Sequence, residues 1–195
     1  MTDTIDTLAG LSPDSALAKI RDRKPITREQ AQTSYRALFE PAETADVSLQ
    51  ERFAVATFVA ALHAQPEPIA FYAALLGRTD PPEALTAALT AEIAAALATG
   101  PYGAYPAGPL SAEDVPGPIY AVTDPRALGP RLSAALAHAH MLVFHPRDAN
   151  GAALQALLDA GWSNTGIVTL SQLVAFLAFQ IRAAAGLRVL AASVP

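Results

Sequence analysis

Polar residues open apolar runs at intervals along this chain, and several openings have the chemistry of a helix start. Ser12-Pro13-Asp14 offers an N-cap, a proline for the first helical position and an acid near the positive helix end. A helix is therefore expected from there to about Arg23. Thr27-Arg28-Glu29-Gln30 has capping-box spacing and predicts a second helix toward Phe39. Ser48-Leu49-Gln50-Glu51 has the same spacing, and from Leu49 to about Ala64 apolar residues cover most of the helix surface, which predicts a central position. Pro66 and Pro68 then interrupt the pattern. Proline fits the first turn of a helix but breaks its interior, so a break is expected near Gln65 and a new helix from about Glu67 to Leu76. Asp80-Pro81-Pro82-Glu83 starts the next helix, which is expected to end near Thr99-Gly100.

Residues 101–124 differ. They are rich in proline and glycine, hold Tyr102, Tyr105 and Tyr120, and show neither helix nor strand period. The tyrosines argue against a solvated linker, so an ordered crossover packed on the helices is expected, covering a cleft or a subunit contact. Helices resume from about Pro125 to Phe144. His145-Pro146-Arg147-Asp148 reads as a turn, and a helix follows to Ala160. Gly161-Trp162-Ser163 ends it, with Trp162 as a packing anchor, and caps a last long helix from about Asn164 to Leu190, with Gly166 a weak point near its start. Each half thus carries a buried apolar helix after a polar cap.

Composition sharpens the fold class. Hydrophobic residues make up 52% of the 195 and charged ones 16%, and alanine, the strongest helix former, dominates the apolar set. An all-α fold in one domain over residues 1–195 follows as the expectation. The net charge of −5, with only Lys19 and Lys24 as lysines and no basic cluster, argues against nucleic-acid binding. With no cysteine, disulfides, thiolate nucleophiles and thiolate metal sites are all excluded. Met1 to Gly10 has no basic segment of the signal-peptide kind, and the richest apolar stretch, Leu173 to Phe179, is too short to span a bilayer. A cytoplasmic protein without a membrane segment is expected.

Candidate chemistry gathers in three places. His63, Glu67 and Tyr72 supply an imidazole, an acid and a phenol around the Gln65 break, a set able to run acid–base chemistry on a small molecule. The helix start at residues 65–68 could also hold an anion. Against this, His63 stands at a helix C-terminus, where the dipole alone favours it, and Tyr72 reads equally as a core aromatic with its hydroxyl satisfied. His138, His140 and His145 suggest metal, but helical positions i and i+2 point about 200° apart, and His138 and His145 lie about 10 Å apart along a helix. No metal and no cofactor are expected. Arg182, on the last apolar helix, is either an anion clamp or half of a structural ion pair with Glu51 or Glu92. Phosphate-binding glycine loops and serine-hydrolase signatures are absent.

Two segments carry a family resemblance. Leu49 to Leu76 resembles the alkylhydroperoxidase D core, where an apolar helix leads into Cys-x-x-Cys-x-x-x-His with a glutamate twelve residues before the first cysteine. Leu157 to Leu190 resembles the C-terminal part of the peroxidase-related branch, whose Asn/Gln-x-Arg signature reads here as Gln180-Ile181-Arg182. Together they span about a third of the chain, and the chain is similar to the alkylhydroperoxidase D and carboxymuconolactone decarboxylase superfamily, in a subgroup found beside true alkylhydroperoxidase proteins. In that register the two cysteines fall on Gln65 and Pro68, the histidine on Tyr72 and the glutamate on Phe53, with Glu51 off register. Thiol peroxidase chemistry is thereby excluded. The resemblance implies an alkylhydroperoxidase D-like all-α fold and a homo-oligomer. It further implies a non-peroxidatic binding or partner protein beside a companion peroxidase-related protein. The alternative is a cysteine-independent enzyme of decarboxylase type, using His63, Glu67 and Tyr72 on a small carboxylated ligand held by Gln65 and Arg182.

Overall fold

A computed structural model describes residues 3–193. It is all-α, with no strand among the described residues. The helices are α1 (Thr4–Ala9), α2 (Ala16–Asp22), α3 (Pro25–Phe39), α4 (Leu49–Leu62), α5 (Pro66–Gly77), α6 (Glu83–Ala96), α7 (Pro125–Phe144), α8 (Gly151–Asp159) and α9 (Asn164–Ser193). Short 3-10 turns occupy Pro109–Glu113 and Pro146–Asp148.

Helix α4 is the centre. The Ser48 hydroxyl accepts from Glu51 N–H, and the Glu51 carboxylate accepts from Ser48 N–H at 2.9 Å, so the capping box is complete. Every residue from Arg52 to Leu62 is buried, packed against α5, α6, α7 and α9. The buried Arg52 needs no acid there, because its guanidinium donates to the carbonyls of Val47 and Leu38 at 3.0 and 2.6 Å. His63 caps the helix, Ala64 turns through left-handed φ 51, and Gln65 is extended, so that Pro66 opens α5 and folds it back on α4.

Several starts and stops differ from the sequence expectation. Helix α2 is capped by Ser15, whose hydroxyl accepts from Ala18 N–H, while Ser12, Pro13 and Asp14 lie in the turn before it. Helix α3 begins at Pro25 with no side-chain cap, so Thr27 and Gln30 lie inside it and form no capping box. Proline's fixed φ sets that start earlier than the hydroxyl would. Helix α1 is additional: Asp3 accepts from Ile5 and Asp6 N–H, and Gly10 ends the helix in the left-handed conformation. Arg21 and Arg28 neutralise its two buried acids, Asp3 and Asp6. Helix α6 stops at Ala96, and α7 is broken at Gly129 (φ 74, ψ 167) before Pro130.

Residues 97–124 form an ordered strap. The Glu92 carboxylate on α6 accepts from Tyr120 Oη and from the N–H groups of Thr123 and Asp124 at 2.7, 2.8 and 3.2 Å. Gly103 and Val115 exchange a single backbone bridge. Tyr102 is buried, donates to Pro118 O at 2.6 Å, and lies so close to Gly117 that a Cβ there would overlap its ring. Trp162 is an anchor, with Nε1 donating to Arg131 O at 2.9 Å and the Arg131 guanidinium over its ring.

Helix α9 corrects the membrane reading in part: among the described residues it is long and apolar enough, by length and composition, to cross a membrane. In this fold it packs on α1, α3, α4, α7 and α8 and buries Leu170, Leu173, Leu177 and Ile181 among others.

Candidate functional site

The α4–α5 junction gives its polar groups to packing. Tyr72 is fully buried among Phe39 and Phe71 and donates its hydroxyl to Gln180 Oε1. Burial, then the neighbouring Tyr35, pushes that phenol well above its usual range. Gln65 Oε1 accepts from Arg188, whose guanidinium also lies 3.3 Å from the Glu67 carboxylate and donates to Leu8 O at 2.7 Å. His63 is half-buried; burial, and then the charge of Arg182, lowers it to about 4, so it is neutral near pH 7 and a weak base. Arg182 itself is exposed, and among the described residues it makes no hydrogen bond or ion pair. The expected partners are taken: Glu51 pairs with Arg131 at 2.9 Å, and Glu92 holds the strap. The buried polar residue of that stretch is Gln180, not Arg182.

So the structure joins Gln65 to Glu67 through Arg188, sets His63 beside Arg182, and sends Tyr72 into the core. None of the five lines the three depressions formed around Arg131, His145 and Gly103.

A different set converges at the end of α7. His145 caps that helix with a non-helical φ of −143°, which swings it off the helical register. Pro146 then starts a tight 3-10 turn that returns Asp148 to it, with His145 Nδ1 and Asp148 Oδ2 at 2.9 Å. Asp148 also accepts from Ala104 N–H at 2.9 Å. That backbone bond, and then His145, hold its carboxyl below the usual carboxylate range, and a neutral imidazole that donates Nδ1–H to it presents its acceptor at Nε2. Tyr102 stacks on the His145 ring at 4.9 Å. His140 Nε2 donates to Ala96 O at 3.1 Å and lies under Tyr120, and His138 Nε2 meets Ser171 Oγ at 2.9 Å.

His138 and His145 line one cleft of about 180 Å³ with Ile119, Tyr120, Met141 and Leu157, between the strap, α7 and α8. Ile119 and Tyr120 of the 101–124 segment thus form part of a pocket wall. Among the described residues no group of three His, Cys, Asp or Glu side chains is placed to hold a metal ion.

The chain matches no family model, no curated protein and no solved structure.

What the α7 end can do is therefore read from its atoms. A carboxylate–imidazole pair with a free Nε2 beside an apolar cleft can accept a proton or a hydrogen bond. Asp148 was missed from the sequence, although its signal is local: a proline directly after a histidine and an acid three residues on. The Glu92–Tyr120 tie, spanning 28 positions, has no such signal.

Proposed function

We propose that the chain is a non-peroxidatic member of the alkylhydroperoxidase D and carboxymuconolactone decarboxylase superfamily, acting as a binding or partner protein beside a peroxidase-related protein. The observation that carries this reading is the fate of the junction. Where the family resemblance puts its thiol pair and histidine, Gln65 and Tyr72 are engaged by Arg188 and Gln180, and no cysteine is present. A scaffold kept while its reacting groups become packing groups is suited to binding. Assembly into a homo-oligomer is supported by the apolar residues that α9 leaves exposed, Val168, Phe179 and Val189.

Native mass spectrometry of the purified protein tests the assembly. The expected result is a homo-oligomer that Phe179→Arg reduces to a monomer; a monomeric wild type overturns it.

A second reading, a cysteine-independent enzyme of decarboxylase type acting on a small carboxylated compound, is favoured by one observation: Arg182 is an exposed cation with no partner among the described residues. Removing an exposed side chain leaves the fold intact. Turnover of small lactones or keto acids that Arg182→Gln abolishes would replace the first reading with this one.

A further inference from the structure

We propose that the cleft between the strap, α7 and α8 is a binding site for a small molecule about the size of one six-membered ring that carries an O–H donor, with His145 Nε2 accepting that donor. This stands independently of the partner-protein reading.

Size sets the first limit. A cavity of about 150 Å³ lined by apolar side chains takes up benzene, and this cleft measures about 180 Å³. Its walls supply Met141, Leu157 and Ile119, so the body of the occupant is apolar. Ile119 is 88% exposed, which places it at the rim on the strap.

Elimination sets the polar contact. The Tyr120 hydroxyl is held by Glu92, and His138 Nε2 is held by Ser171. The side-chain polar atoms sealed without a partner, among the described residues, are on His63, His138, His140 and Gln180, and His145 Nε2 is not one of them. His145 Nδ1 is occupied by Asp148, which leaves Nε2 as the ring nitrogen without a partner, among the described residues, on a side chain that lines the cleft. In the neutral imidazole Nε2 carries the lone pair, because Asp148 takes the hydrogen bond of Nδ1–H. An acceptor at the end of an apolar slot selects a donor on a ring: a phenol-like or enol-like hydroxyl. Asp148 is a positioning residue here. It fixes the tautomer and, through Ala104, fixes the strap that closes the cleft.

The alternative for this pair is purely structural, a clip between the strap and the α7 end. The experiment separates the two. Phenol and benzene are titrated into the full chain, followed by ligand-observed NMR and by the imidazole ¹⁵N resonances of His145. The expected result is saturable phenol binding, benzene about ten-fold weaker or more, since one hydrogen bond to a desolvated acceptor is at stake, and a movement of the Nε2 resonance with phenol alone. His145→Ala should remove the preference for phenol. Should that variant fail to fold, Met141→Trp, which fills the cleft and leaves His145 in place, should abolish binding of both. Equal binding of phenol and benzene, an unmoved Nε2 resonance, or phenol binding unchanged in Met141→Trp would overturn the proposal.

Discussion

Two helix ends in this protein are built from the same local parts and reach opposite outcomes. Helix α4 and helix α7 each finish on a histidine cap, His63 and His145, and each is followed by a proline that opens the next helical turn, Pro66 and Pro146. At His145 the turn brings a carboxylate back within 2.9 Å. At His63 the charge acting on the ring is Arg182, and among the described residues nothing pairs with Nε2. One imidazole is oriented beside a cleft, and the other is held neutral by burial and like charge. The lesson is that a histidine's place at a helix end does not decide its use; the group the following turn returns to it does.

The largest test of this contrast lies in the core beside His63. Tyr72→Ala removes a fully buried aromatic and should cost about 3–5 kcal/mol in urea unfolding. Tyr72→Phe should cost about 1–3 kcal/mol, because Gln180 is left with both amide atoms unpartnered. If Tyr72→Phe were neutral in stability and instead changed ligand binding, the junction would be a site after all. Arg188→Ala should cost about 1–2 kcal/mol by releasing Gln65 and Leu8 O. Asp148→Asn comes next, with a smaller stability loss of about 1 kcal/mol. Its clearer signature is a change in the His145 tautomer, read from the imidazole ¹⁵N shifts.

Acid sensitivity gives the smallest effect near pH 7 and grows only as the solution is acidified. His63 has a folded pKa of about 4, below its ordinary value of 6.5, so between these pH values the unfolded chain binds the extra proton. Stability is therefore lost as pH falls through that window. His138 and His140, lowered chiefly by burial, act in the same direction. His63→Gln should flatten the fall in the urea midpoint between pH 6.5 and 4. Arg182→Gln should flatten it less, since desolvation is the larger cause.

What the sequence revealed follows the range of each interaction. The Ser48–Glu51 box, the break at Gln65 and the α7 boundaries rest on contacts within a few residues and were legible. Helix α2 was misplaced because Ser12 and Ser15 both offer caps within one turn. Arg182 was read as an anion clamp or as half of an ion pair with Glu51 or Glu92 because α9 carries too weak an amphipathic pattern to mark its buried face; Gln180, two positions earlier, is the residue that turns inward. The ties from Arg188 to Gln65 and from Glu92 to Tyr120 join positions 123 and 28 apart, and no local pattern announces them. The strap was legible as ordered through its tyrosines, but the cleft beneath it emerged only when α7, α8 and Ile119 came together.

The central claim is that the α7 end, and not the α4–α5 junction, receives a small molecule. Backbone amide shift mapping by NMR during a phenol titration tests it most directly. The account predicts shifts concentrated at residues 119–120, 137–145 and 153–157, with residues 62–72 and 180–188 unmoved. Shifts centred on His63, Gln65, Tyr72 and Arg182, with the α7 end silent, would contradict it.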